Sequence, residues 1–243
     1  MNPLALAFLL LATLAGNAMA QSGEKLIEES LKKYALPSHT YEEQALVITD
    51  HQGKMTIRTI RSYSVCDESG SKNLRVIETP ADARGTAIYL AHARGGARLG
   101  LATSSPAFGS NFTLADLEVE QSGDFRYEYE GKQFVDRVPH YVVRAMPADD
   151  SVTRRTGYYE RRLYLRKDNL FISRIDYQNR DGRQTRRQTF RDPAPDDSGT
   201  WRARMILMEN LRDGERSLLK IERRVHSSDY VPAKVFAGLR TIP

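Results

Sequence analysis

Cysteine is almost missing from this chain: Cys66 is the one example in 243 residues, so no intramolecular disulfide can form and any fold must stand on its core alone. At this length a core of sufficient size is available. The recognisable marks of catalysis are also missing. There is no His-Glu-x-x-His, no Gly-x-Ser-x-Gly, no phosphate-cradling Gly-rich loop and no Cys/His cluster. The five histidines, His39, His51, His92, His140 and His226, share no short spacing, which leaves no basis for a metal site or a triad. Asp149-Asp150 and Asp196-Asp197 are adjacent acids in Pro-containing stretches, where Asp bonds local backbone amides and forms turns. The expectation is a protein that is not an enzyme and needs no cofactor. Cys66 sits in an alternating apolar run and reads as a small buried hydrophobe.

Long hydrophobic runs are scarce too. The exception, Leu4 to Leu14, has no charged side chain and is followed by Ala18-Met19-Ala20. It is too short to span a bilayer, where about 20 residues are needed, and reads as a signal peptide cleaved after Ala20. Residues 21–243 then form a single exported domain, and a disulfide-free chain behind a short leader suits a bacterial periplasm. The net charge of +5 comes with paired basic residues: Arg154-Arg155, Arg161-Arg162, Arg166-Lys167, Arg186-Arg187 and Arg223-Arg224. In that compartment nucleic acid is not a partner. The pairs are either solvated outer positions of strands or docking points for anionic headgroups or an acidic protein.

What the chain has in quantity is alternation. Glu24 to Leu36 is the one amphipathic helix, with Leu26, Ile27, Leu31 and Tyr34 on one face and Pro37 as the stop. Strands are predicted over Tyr41 to Thr49, Met55 to Cys66, Leu74 to Glu78, Arg84 to Leu90, Arg98 to Ala102, Phe125 to Tyr129, Phe134 to Val138 and His140 to Met146. Glu130-Gly131 is the expected turn, and Leu114 to Leu117 a single helical turn. Tyr158 to Val225 reads as two long hairpins around Asp181-Gly182 and Asp213-Gly214, separated by a loop over Pro193 to Gly199. Period-two patterning over so many segments argues for an antiparallel meander with one apolar face. Roughly ten strands exceed the usual sheet and must curl or close to bury that face. A lone helix would lie across its open side. The apolar face can pack a core or hold a ligand.

Three patches carry a family resemblance. Pro80-Ala81-Asp82-Ala83-Arg84-Gly85-Thr86, running into Ile88-Tyr89-Leu90, resembles the Arg-Gly-Thr strand entry of the outer-membrane lipoprotein-sorting protein family, the LolA-like group. Gly109-Ser110-Asn111-Phe112-Thr113-Leu114-Ala115-Asp116-Leu117 is similar to its Gly-Ser-Asp-Phe-Ser-x-x-Asp-Leu segment. The C-terminal order of Asp181-Gly182, Trp201, Met208-Glu209-Asn210, Asp213-Gly214 and Phe236 follows that family's as well. Arg94 to Ser105 departs from it, being Gly- and Ala-rich where the family has a Trp-containing strand. The resemblance implies a mainly β (α+β) fold: a strongly curved antiparallel sheet, an incomplete barrel, with the N-terminal helix covering the concave face. It implies a periplasmic carrier that binds a lipid or acylated protein and hands it between membranes.

Alternating positions nominate Ile88, Leu90, Val143, Leu163, Leu165, Phe171, Ile175, Met205, Leu207, Leu219 and Ile221 for the apolar lining. Arg161, Arg162 and Arg166 are nominated for headgroup or partner docking. On this reading Glu at Leu165 or Ile175 blocks ligand uptake without unfolding the sheet. The partners would be acyl chains, an inner-membrane transporter and, transiently, a membrane surface. The rival reading is a regulatory module that senses lipid or misfolded protein and docks a membrane protein. A hydrolase of envelope material is the third.

Overall fold

The computed structural model describes residues 23–93, 104–118, 123–237 and 239. The expected leader and the strand expected at Arg98 to Ala102 lie outside these residues. Eleven antiparallel strands form one sheet: β1 (His39–Thr49), β2 (Met55–Asp67), β3 (Gly70–Thr79), β4 (Ala87–Ala93), β5 (Phe125–Val135), β6 (Val138–Pro147), β7 (Glu160–Arg166), β8 (Ile172–Gln178), β9 (Gln184–Pro195), β10 (Trp201–Asn210) and β11 (Arg216–Val225). Their spatial order is β4-β3-β2-β1-β11-β10-β9-β8-β7-β6-β5. Two meanders, β1 to β4 and β5 to β11, are therefore fused where β1 pairs with β11 (Leu46 opposite Leu219). The edges β4 and β5 do not meet, so the curved sheet stays open, as expected.

Local chemistry sets the connections. Asp50 accepts from the backbone N–H groups of Gln52 and Lys54 and turns β1 into β2. Asn179 does the same for Asp181 and Arg183 ahead of Gly182, whose φ of +75° lies in the left-handed region. One expectation fails nearby. Glu130-Gly131 is not a turn but a bulge inside β5, where the register slips between Tyr129 and Gly131. The hairpin is made instead by Asp136 and Arg137, with φ of +50° and +66°. A glycine in a strand serves a bulge as readily as a turn. Similarly, β9 runs on through Pro193 to Pro195 and pairs with Trp201, so the expected loop is confined to Asp196 to Gly199.

Among the described residues, two helices and three short 3-10 turns accompany the sheet. Helix α1 (residues 23–33) buries Ile27 and Ser30 against the sheet and leaves Glu28, Glu29, Lys32 and Lys33 exposed. Leu31, expected on the buried face, is 37% exposed. Glycine is required in this helix where it nears the sheet: a Cβ on Gly23 would meet the Tyr127 carbonyl oxygen at 2.6 Å. Helix α2 (Asp150–Thr156) was not expected, because the Asp pair reads equally as a turn. Asp149 caps it, accepting from Ser151 and Val152 N–H.

The concave side holds the core. Leu46, Ile60, Ile77, Val143, Leu163, Leu165, Ile175, Met208 and Leu219 from the sheet meet Ile27 of α1 and Ala107, Phe108 and Phe112 of the 104–118 segment. That segment belongs to the connection from β4 to β5, the two opposite edges. A chain joining them must cross the open side, and burying three apolar residues on the way stabilises it there by roughly 1.5–3 kcal/mol per large side chain.

The concave face as candidate functional site

The open side of the sheet is covered in two different ways. Over β5 to β10 the cover is packed and latched. Thr113 to Leu117 forms a 3-10 turn whose Asp116 side chain is fully buried. Its carboxylate accepts from Tyr158 Oη at 2.5 Å, Tyr177 Oη at 2.9 Å, Arg186 Nη1 at 3.0 Å and the Thr113 backbone N–H at 2.7 Å. These donors come from three adjacent strands or their approaches, and together they pin the crossing segment to the sheet. Burial and the nearby Asp116 charge push both tyrosines well above the ordinary phenol range, so both hydroxyls remain protonated donors. Arg186 also lies over the Tyr177 ring at 4.5 Å.

Helix α1 is latched at each end. Glu24 accepts from the Tyr127 N–H at 2.9 Å. At the other end Ser30 Oγ donates to the Leu170 carbonyl, Tyr34 Oη to that of Asn169, and Arg202 to both the Tyr34 and Ala35 carbonyls at 2.6 Å. The last two contacts satisfy carbonyls that a helix end leaves open.

Over β1 to β4 the cover is incomplete. A small cavity of about 80 Å³ opens there, lined by Leu36, Thr40, Glu42, Ser64, Cys66, Asn73, Arg75, Leu90, His92 and Leu117 among others. Its wall mixes polar side chains with Leu36, Val65, Leu90 and Leu117. Cys66 is partly exposed on it rather than a closed core residue as expected, because Thr40, Ser64 and Ser71 surround it instead of aliphatics.

The nominated lining residues divide. Val143, Leu163, Leu165, Ile175 and Leu219 belong to the core, with Ile88 packed against it. Phe171 is buried beneath the end of α1, its ring edge-on to Tyr34 at 5.5 Å and beside Trp201 at 6.4 Å. Leu90 lines the cavity. Met205 and Leu207 do not join them. They alternate with Ile206 and Met208, which pack into the core, and so face the convex side, where Leu207 pairs with Leu218, Leu218 with Val47 and Val47 with Ile57. The phase of a strand apolar on both faces cannot be read from its own sequence. Met205 and Ile221 border a second, open groove rich in charged residues.

The docking arginines divide as well. Arg161 is 5% exposed, with its guanidinium over the Phe125 ring at 4.0 Å; it is an interior residue. Arg162 pairs with Glu130 at 2.7 Å and Arg166 with Asp168 at 2.6 Å. The basic pairs follow the same rule, because adjacent strand residues point to opposite faces. Arg186 turns in to Asp116 and Arg187 out to Asp176; Arg224 turns in to Glu42 and Arg223 out to Glu43. The interior partners Asp116 and Glu42 lie far away in sequence, so nothing local identified them.

Comparison with known proteins follows from this geometry. A family model described as uncharacterized protein-like matches residues 58–238. Curated protein sequences give no match. Among solved structures, the chain is similar to an outer membrane lipoprotein-sorting protein domain from Vibrio parahaemolyticus, with a TM-score of 0.77 and 19% identity over 89% of this chain and 98% of that one. A DUF1329 family protein from Desulfovibrio piger gives a TM-score of 0.79 at 19% identity, covering 89% and 98%. A LolA superfamily protein from Nitrosomonas europaea gives 0.70 at 17% identity, covering 88% and 97%. At such identities the likeness establishes a shared fold.

Proposed function

The chain belongs to the uncharacterized protein-like family and has the lipoprotein-sorting, LolA-type fold, and from that premise we propose that it is a periplasmic carrier for a lipid or acylated protein. The observation that carries the reading is how the concave face is covered. It is closed by a helix and a crossing segment, held by a few polar latches, and not by a second sheet. Releasing α1 and residues 104–118 would uncover the apolar side chains beneath Ile27, Phe108 and Phe112. An acyl chain can replace those contacts: at about 0.8 kcal/mol per methylene, a dozen methylenes supply roughly 10 kcal/mol, against about 2–3 kcal/mol for each displaced side chain. Among the described residues no helix is long and apolar enough to cross a membrane. With the leader expected at the N-terminus, this suits a protein that works between membranes and meets their surfaces transiently.

Native mass spectrometry of the protein purified from its own periplasm, followed by lipid extraction, tests the reading. A retained mass that extracts as lipid supports it; a protein that is empty and ignores added lipid overturns it. Substitution by Glu at Leu165 is not a clean test of uptake. Leu165 is fully buried, and a carboxylate there without a partner costs several kcal/mol and unfolds the site.

The convex face favours a second reading. The row Ile57, Val47, Leu218 and Leu207 crosses four strands, and Ile57 is 58% exposed. A regulatory module would dock a membrane protein on such a surface, and a stable stoichiometric partner in a pull-down from membranes would decide for it.

A further inference from the structure

The cavity over β1 to β4 is lined by a part-buried cation that lacks a carboxylate partner among the described residues. Arg75, on β3, points into it. Among the described residues, no carboxylate oxygen lies within ion-pair distance of its guanidinium. Among the described residues it donates a hydrogen bond to the Leu117 carbonyl at 3.5 Å, and its Nε has no partner there. Glu42, the carboxylate that acts on it through space, is already held by Arg224 at 2.6 Å and by Gln44 at 2.6 Å. Glu118 on the rim is shared between Arg155 and His92, both at 3.5 Å. Burial pulls the Arg75 guanidinium down to about 10, and it stays charged at neutral pH.

Arg75 is not alone in being unsatisfied. Asn73 Oδ1, on the same wall, is buried without a hydrogen-bond partner among the described residues, and His92 Nε2 makes no hydrogen bond there beyond its 3.5 Å approach to Glu118. Asn73 Nδ2 contacts Ser64 Oγ at 2.6 Å. A hydroxyl can donate as well as accept, so the amide can turn over, keep that bond through Oδ1 and present Nδ2 to the cavity. Arg75, Asn73 and His92 then line one cavity with N–H donors. Arg186, Arg202 and Arg224, by contrast, each have a carboxylate of their own.

The geometry points to an anion-binding site at Arg75, taking a phosphate or carboxylate group, with Asn73 and His92 as the flanking donors. A guanidinium with five N–H groups in a planar fork matches such oxyanions. On the carrier reading, on which the source of the anion rests, the group is the headgroup of an amphiphile whose tail extends towards the core past Leu90 and Ile88. These two residues follow one another on the inner side of β4. A free phosphate would use the same donors.

Cys66 lines the same cavity and is the chain's single thiol, so its alkylation rate reports occupancy. The test measures that rate in the full chain with inorganic phosphate, with dodecyl phosphate and with a neutral dodecyl glucoside. The expected result is protection by dodecyl phosphate at a concentration roughly tenfold below that needed with the glucoside, the difference falling away in Arg75→Gln, since a hydrogen bond to a charged group is worth about that factor or more. Asn73→Asp, which sets a negative charge opposite the anion, should weaken dodecyl phosphate alone and serves if Arg75→Gln does not fold. Protection by inorganic phosphate alone identifies a free anion as the ligand; protection by dodecyl phosphate alone identifies a headgroup. Equal protection by charged and neutral amphiphiles, or protection unchanged in Arg75→Gln and Asn73→Asp, overturns the site while leaving the carrier reading standing. Protection by phosphate with none by either amphiphile retains the site and removes the carrier reading.

Discussion

Asp116→Ala should be among the most damaging single substitutions in this protein. The side chain has no exposed surface, and its partner Arg186 is 18% exposed. Removing the carboxylate leaves that guanidinium buried and uncompensated, which costs about 3–5 kcal/mol. Tyr158 loses its acceptor too. Tyr177 is less affected, because its hydroxyl also meets Gln188 at 2.6 Å. With a urea dependence of about 2 kcal/mol per molar, the midpoint should fall by roughly 1.5–2.5 M. Trp201 fluorescence follows the transition, since Trp201 is the one tryptophan and stands against Phe171. The cost should be partly recovered in the Asp116→Ala, Arg186→Met double variant, which removes the stranded charge, and the double-mutant cycle should show strong coupling. Hydrogen exchange at the Phe112 amide should quicken, because the crossing segment loses its attachment. A loss below about 1 kcal/mol, or additive single effects, would refute the account of Asp116 as the latch.

Other consequences concern α1 and pH. Gly23→Ala should destabilise the helix–sheet contact by more than the few tenths of a kcal/mol of a neutral surface change, because the methyl meets β5 backbone; urea titration shows it, and an unchanged midpoint would mean the helix can move off the sheet at no cost. Arg202→Ala removes two 2.6 Å bonds to the end of α1 and should cost about 2–3 kcal/mol while speeding release of any bound lipid; slower release would contradict α1 as the moving cover. His140 is buried, with Nδ1 donating to the Val138 carbonyl at 2.8 Å and Nε2 accepting from Ser173 at 2.6 Å. Burial holds its folded value below the ordinary 6.5, so the unfolded chain takes up its proton first on acidification. Its contribution is complete above 6.5 and is lost as pH falls from there towards the folded value. Stability measured across that window should decline in the native chain and decline less in His140→Gln; parallel profiles would assign the slope to another group.

Much of the fold was legible because strand alternation and turn chemistry are local. Asp181-Gly182 and Asp213-Gly214 are the turns they look like, and Leu114 to Leu117 is a single helical turn. Errors arose where one signal has two structural outcomes. Gly131 makes a bulge, Asp149 a helix cap, and Met205 with Leu207 an outer row on a strand that is apolar on both sides.

The sequence by itself determined that this is an antiparallel β protein without disulfides, with an apolar face to hide and one N-terminal helix to cover it, because periodicity, cysteine count and turn residues act over a few positions. The tertiary structure decided what meets across the open side. Asp116 finds Tyr158, Tyr177 and Arg186 only because the β4 to β5 connection must cross from edge to edge. Among the described residues Arg75 lines its cavity without a carboxylate of its own, because Arg224, far along the chain, has taken Glu42. Pairing between distant residues depends on which strands become neighbours, and the closing of β1 onto β11 is set by the whole chain at once.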